Sequence, residues 1–299
     1  LIKGQQDPAT MNDDDKVFLL ENFFSANRQR MIEPHRRYLE LLYMAGEGKP
    51  GSARERIRHF SDQDLRDLQV CFFLAWTGEA ARRRFPEFRQ LLEKGEGYSA
   101  EDLALLFATQ RRLLNEILPL YQRLHQQGRI ELSLSPYFHP ILPLLCDTQL
   151  AREAMPKVTL PQERFRHPED AAAQIRRGLA YFKEVLGITP HGMWPSEGSV
   201  SDEALSIIAE CGLSWVASDE EVLARSLDGG LGHHNERLYR PWRYTTGHGD
   251  LGIFFRDHRL SDLIGFSYSQ WDPSRAVLDF CGRLRQIHQQ IGSEGRVIP

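Results

Sequence analysis

No apolar run in this chain approaches the ~18 residues a membrane-spanning helix needs, so a helical membrane protein is excluded and a soluble one is expected. Cysteine is sparse: Cys71, Cys146, Cys211 and Cys281 stand far apart, each in an apolar stretch, and form neither a C-x-x-C metal clip nor a dense disulfide scaffold. Reduced, buried thiols in a cytoplasmic protein are the expectation. Excess positive charge is missing too, since 37 Lys and Arg against 41 Asp and Glu leave a net charge of -4 and no attraction for nucleic acid or anionic lipid. The short basic clusters Arg82-Arg83-Arg84 and Arg54 to Arg58 lie among acidic residues and read as helix surface. Gly229-Gly230-Leu231-Gly232 lacks the lysine of a phosphate loop, which excludes that mode of nucleotide binding. His233-His234, His248 and Asp250 have no consistent ligand spacing, so neither a metal nor a cofactor is expected. No internal repeat or low-complexity tract occurs. The chain opens on Leu1-Ile2-Lys3 without an initiator Met or a signal-peptide pattern, and we expect the true start of the gene product to lie elsewhere.

What is present suits a folded domain: 299 residues, 41% of them hydrophobic and 26% charged, can bury a large core. Residues 1–127 read as a mainly helical region. Apolar residues at helical spacing run from Val17 to Phe24 and from Met31 to Met44, and Gly46 to Ser52 reads as a loop. Ser61 and Asp64 form an S-x-x-D cap that predicts a helix through Phe85, and Ser99 and Asp102 repeat it for a long helix stopped by Gly128.

Residues 128–299 read as a β/α region. Ile130 to Leu134 alternates at period two and predicts a strand leading into a Pro- and aromatic-rich loop. Pro168 opens a helix to about Leu186, and the next strand ends at Trp194. Ser199 and Asp202 predict the cap of a helix through Cys211, followed by a Trp215-Val216-Ala217 strand. Leu251 to Phe255 predicts another strand, Asp272-Pro273 a helix through Ile287, and Arg296-Val297-Ile298 the start of a further strand. Such alternation implies a mostly parallel sheet, for which a barrel with its site at the carboxyl ends of the strands is the natural solution.

The chemistry concentrates in Gly192-Met193-Trp194-Pro195-Ser196-Glu197-Gly198, a strand entering a tight turn that carries one carboxylate. Trp194 is placed to stack on a sugar face while Glu197 attacks an anomeric carbon; a glutamate before a helix also serves as a cap or dipole partner. Glu131 points either into the barrel or to solvent. His139 is a hydrogen-bond donor to a sugar hydroxyl or a packing residue, and Asp219 a site residue or, slightly favoured, an N-cap. Asp257, after the Ile253-Phe254-Phe255 strand, is expected to pair with Arg256, which keeps it ionised and suits it to substrate binding or structural pairing rather than proton donation. Trp242 and Trp271 are further candidate platforms or core residues.

Trp194-Pro195-Ser196-Glu197 resembles the Trp-x-x-Glu nucleophile motif of family 57 glycoside hydrolases. Gly128-Arg129-Ile130-Glu131-Leu132 and Ser135 to Leu145 resemble the family's second motif and the loop behind it, in the same order and spacing. Ala217 to Glu220 and Phe254 to Asp262 resemble segments of one branch of the family. The resemblance implies a distorted seven-stranded (β/α) barrel with substantial helical insertions, incomplete in this chain, and a retaining hydrolase or transglycosylase of α-glucans. It also implies Glu197 as nucleophile, with Trp194, Glu131, His139, Asp219, Asp257 and Trp242 near the substrate. The family's His-Gln-Pro opening strand is absent, and its general acid, an Asp in a motif read Asp-Gly-Glu in related branches, is expected beyond Pro299. An internal piece of a longer enzyme, lacking its acid and therefore inactive alone, is the consequence. Two other classes stay in view: a non-catalytic α-glucan-binding protein, and a metal-dependent carbohydrate deacetylase or mannosidase on a related barrel.

Overall fold

The computed structural model describes residues 2–46, 51–228, 230–231, 235–291 and 297–299. It is a mixed α/β protein, mostly helical, with one small sheet. The chain divides into two compact units, Leu1–Leu120 and Tyr121–Pro299.

The first unit is helical. Its core is built from side chains with no solvent exposure, among them Leu19, Tyr38, Leu41, Leu65, Leu68, Phe88, Leu91 and Leu106. Helical spacing places these on one face of each helix, and their burial drives the assembly. The Asp62–Ala75 helix begins as predicted: the Ser61 side chain accepts from the Asp64 N–H while the Asp64 carboxylate accepts from the Ser61 N–H. Ser99 and Asp102 make the same reciprocal pair, and the helix they open, Ala100–Gln126, ends before Gly128, whose φ of 65° a residue with a Cβ rarely adopts. The helix predicted through Phe85 is instead two, Asp62–Ala75 and Glu79–Arg84, because the chain turns at Trp76-Thr77-Gly78 and the Thr77 hydroxyl donates to the Phe73 carbonyl at 2.8 Å. Met31 to Met44 is likewise interrupted: a π-turn at Arg28–Ile32 gives way to the Arg36–Met44 helix, with Pro34, which has no N–H to donate, between them.

One buried charge fixes this unit. Asp67, 1% exposed, accepts from Arg37 Nε at 2.8 Å, from the Tyr98 N–H at 3.0 Å and from Gln63 Nε2 at 2.9 Å. Asp67→Ala leaves the Tyr98 N–H without its acceptor and takes one acceptor each from Arg37 and Gln63, which keep Asp64 and the Tyr98 carbonyl. We expect it to cost about 2–4 kcal/mol in a urea titration, the lower part of that range applying because Arg37 keeps its contact with Asp64. A loss under about 1 kcal/mol would show the network to be incidental.

The second unit carries a four-stranded sheet in the order β1 (Gly192–Met193), β2 (Trp215–Asp219), β4 (Gly249–Arg256), β3 (Trp242–Thr246). β1 with β2 and β2 with β4 are parallel, whereas β3 returns antiparallel on β4. Burial follows the period of two: Val216 and Ser218 are buried on β2, and Leu251, Ile253 and Phe255 on β4. Helices Pro168–Leu186 and Asp202–Glu210 contribute Ala171, Ile175, Ala204 and Ile208 to the same core.

Several expectations change here. The predicted Ile130 to Leu134 strand does not form; only Leu134 pairs, in an isolated parallel bridge to Met193. The alternation is real, but pairing with β1 is confined to that one residue. The Asp202–Glu210 helix is capped by Ser201, whose side chain accepts from the Ala204 N–H, not by Ser199. The last helix, Pro273–Ile291, runs past Ile287, and Val297 and Ile298 have no regular structure. β3 was not predicted, although Trp242-Arg243-Tyr244-Thr245-Thr246 alternates and a Gly-rich turn follows it. His248 and Asp250 belong to that hairpin, where the Thr246 hydroxyl accepts from the His248 N–H and the Thr245 hydroxyl donates to Asp250. His233 and His234, Gly229, Gly232 and Arg296 lie outside the described residues. No helix among the described residues is long and apolar enough to cross a membrane.

Candidate active site

The carboxyl ends of β1, β2 and β4 gather Glu197, Asp219, Glu220, Asp257 and His258. β1 owes its position to Gly192. A Cβ built there would stand 1.9 Å from the Trp215 indole, so only glycine lets β1 pair beside that ring. Trp215 is itself held by Glu131, whose Oε1 accepts from Trp215 Nε1 at 2.8 Å. Trp215 is the first residue of β2, so Glu131 serves the amino end of the sheet and the structure does not bring it to the Glu197 cluster.

Beyond β1 the chain enters the Ser196–Gly198 turn, and Glu197 takes φ 56° and ψ 21°. Among the described residues, two that are not glycine have positive φ: Glu197 and His139, at 57°. They meet, with His139 Nε2 donating to Glu197 Oε1 at 3.3 Å. A left-handed backbone at a residue with a Cβ costs about 1–3 kcal/mol and persists only where surrounding contacts impose it. Those contacts are present. The Trp194 N–H donates to the Leu134 carbonyl at 2.9 Å, Ser135 Oγ donates to the Trp194 carbonyl at 3.0 Å, and buried Ser218 Oγ donates to the Gly198 carbonyl at 2.6 Å. Gly198, at φ 67°, lies where a side chain would meet the Trp194 ring at 3.4 Å. The Glu197 carboxylate itself is 74% exposed, so the turn presents to solvent a charged group on a fixed backbone.

A second network lies beside it. Arg256 Nε donates to Asp219 at 2.6 Å and its guanidinium sits 5.8 Å from the Trp194 ring. Asp219 also caps the Glu220–Ser226 helix through the Glu221 N–H and accepts from His258 Nδ1 at 3.2 Å. Burial opposes ionisation of Asp219, but the donors from Glu221, Arg256 and His258 outweigh it and hold the carboxyl below its ordinary range. The same Asp219 hydrogen bond raises His258, opposed by desolvation and helped by Asp262, which lies 2.9 Å from its Nε2. The His258–Asp219 pair is therefore charged on both sides between the lowered acid and the raised base: its contribution fades as pH rises through the folded value of His258 and as it falls through that of Asp219. We expect the His258 imidazole to titrate above 6.5 by NMR and Asp219→Asn to bring it back down; an imidazole unmoved by that change would exclude the pairing.

Asp257 departs from expectation. Arg256 pairs with Asp219 instead, and Asp257 is buried with its two oxygens accepting from the Tyr239 hydroxyl at 2.7 Å and the Leu260 N–H at 2.8 Å. Asp257 lies just past β4 as the N-cap of the His258–Asp262 helix, and its carboxylate turns to that helix's own N–H rather than to Arg256. Glu220, by contrast, was not singled out from sequence. Burial raises its carboxyl, helped by Asp257 and Asp219 and opposed by the His258 N–H, and the Asp219-Glu220 pair at a strand end was the available signal. Trp242 lies elsewhere, on β3, lining a cavity of about 800 Å³ with Val200, Leu223, Tyr244 and Phe255 while its Nε1 donates to the Arg237 carbonyl. Trp271 meets Tyr268 edge-on at 5.3 Å. No group of three His, Cys, Asp or Glu side chains among the described residues is placed to hold a metal ion.

Residues 16–298 match the profile of glycosyl hydrolase family 57. The chain belongs to this family. No curated protein sequence matches it significantly. Among solved structures, this family 57 chain is similar to a 4-α-glucanotransferase from Thermococcus litoralis, at 21% identity over 59% of this chain and 23% of that one, with a TM-score of 0.38. It is also similar to an α-amylase from Thermotoga maritima (15% identity, 84% and 42% covered, TM-score 0.41). A third is a family 57 branching enzyme from Thermococcus kodakaraensis (13% identity, 78% and 52% covered, TM-score 0.44). The chain thus spans between 23% and 52% of the length of these structures.

Proposed function

We propose that this family 57 chain carries the nucleophile of a retaining hydrolase or transglycosylase acting on α-glucans, and that the nucleophile is Glu197. The observation that carries the reading is the Glu197 turn: an exposed carboxylate on a left-handed backbone, hydrogen-bonded to a second left-handed residue, His139, and three residues beyond Trp194. In this reading the donor from His139 orients Oε1, leaving Oε2 to attack the anomeric carbon and form a glycosyl-enzyme. In the same reading Trp194, three residues before Glu197, supplies a flat face for the sugar, and Asp219, held by Arg256 and His258, also accepts from sugar hydroxyls. The four-stranded sheet is taken as part of the distorted seven-stranded barrel that the resemblance implies.

A retaining reaction requires a second carboxyl ~5–5.5 Å from the first to protonate the leaving oxygen. Asp257 is a poor candidate, since it is buried and both of its oxygens already accept. No carboxyl among the described residues is assigned that role. The test is product stereochemistry: a form extended at both ends, given maltooligosaccharides, should release the α-anomer first by proton NMR. First release of the β-anomer would exclude the double displacement. Binding of glucan without turnover would put a non-catalytic binding protein in its place.

A further inference from the structure

We propose that Phe138, with Tyr137, Tyr181 and Arg177, forms a stacking subsite for an α-glucan chain beside the Glu197 turn. The proposal rests on the α-glucan reading above and adds to it residues and a role that the nucleophile does not require.

Phe138 immediately precedes His139, the residue in contact with Glu197. Its ring is 67% exposed, and Tyr181, on the Pro168–Leu186 helix, is 52% exposed. These rings do not shield a core; they stand at a surface in a fixed cluster. Tyr137 packs edge-on to Phe138 at 4.7 Å and to Tyr181 at 5.5 Å. The Arg177 guanidinium lies 4.4 Å from the Tyr137 ring centre and 5.1 Å from that of Phe138.

The loop that carries them is held at its backbone. Gln174 accepts the Tyr137 N–H on its carbonyl at 3.3 Å and the Phe138 N–H on its side chain at 2.9 Å. One turn along the same helix, Gly178 lets the loop approach so closely that an added Cβ would stand 2.7 Å from Leu134. Leu134 in turn bridges to Met193 of β1. The aromatic cluster is thus tied to the same strand that positions Glu197.

This arrangement fits a pyranose. A glucose ring presents an apolar C–H face and a rim of hydroxyls; an exposed aromatic ring takes the first, and the forked donors of an arginine take the second. A platform already ordered in the free protein loses little side-chain freedom on binding. An acidic ligand would be drawn by Arg177 alone and would make no use of the rings.

The test is titration of maltoheptaose into this chain by calorimetry, comparing wild type with Phe138→Ala and Phe138→Trp. We expect Phe138→Ala to weaken binding about ten-fold at unchanged Tm and Phe138→Trp to restore it to within about two-fold. Unchanged affinity in Phe138→Ala, or a loss that Phe138→Trp does not restore, overturns the subsite while leaving the Glu197 reading in place. A chain that does not bind maltoheptaose at all, with no turnover by the extended form, overturns both.

Discussion

Glu197→Gln in the extended form is expected to lower turnover of maltooligosaccharides by about 10⁴-fold while leaving their binding within about two-fold of wild type. The substitution is nearly isosteric. The amide oxygen still accepts from His139 Nε2, so the turn keeps its left-handed backbone and its place beside Trp194. What disappears is the negative charge that attacks the anomeric carbon, which the proposed double displacement cannot do without. The Tm should not move, because the side chain is largely in water. Undiminished turnover would remove Glu197 from the chemistry. A variant that loses both binding and thermal stability would point to a structural role for the turn instead.

The second large effect concerns the strand that carries this turn. Gly192→Ala is expected to destabilise the protein by about 3 kcal/mol, because the added Cβ would stand 1.9 Å from the Trp215 ring. That ring cannot swing aside cheaply: its Nε1 is bound by Glu131 and its backbone is paired in β2. Trp215→Ala removes the obstacle, so the double variant should recover about 2 kcal/mol relative to the sum of the single losses in a denaturant titration. Strict additivity would mean that the indole does not set the approach of β1. Turnover should fall with Gly192→Ala even below its melting point, since displacing β1 moves Trp194 and Glu197 together.

Much of the local structure was legible in the sequence because it rests on short-range rules. Ser61 with Asp64, and Ser99 with Asp102, satisfy the first N–H groups of their own helices and need nothing distant to do so. Pro168 and Gly187 bound a helix through their own backbone preferences. The Ile130 to Leu134 strand failed for the opposite reason: a strand exists only where a partner pairs with it, and Leu134 alone has one. The Arg256–Asp257 pair failed because Asp257 caps the helix that follows β4, and Asp219, far away in sequence, took the arginine.

The candidate site divides in the same manner. Trp194-Pro195-Ser196-Glu197 and the Pro- and aromatic-rich loop around His139 could be picked out as segments, and the motifs that place the chain in family 57 are contiguous residues. Sequence alone thus determined the family, the helical character of the first region and the strand-to-turn position of Glu197, and it offered capping as one of two roles for Asp219. Tertiary structure decided which groups meet. It placed His139 against Glu197 across 58 residues of chain, drew Glu131 to Trp215, hid Asp257 behind Tyr239 and raised Glu220 by burial. Each of these depends on the mutual position of side chains whose sequence separation carries no information about distance. That position is set by the packing of β1, β2 and β4 around Gly192 and the indole of Trp215.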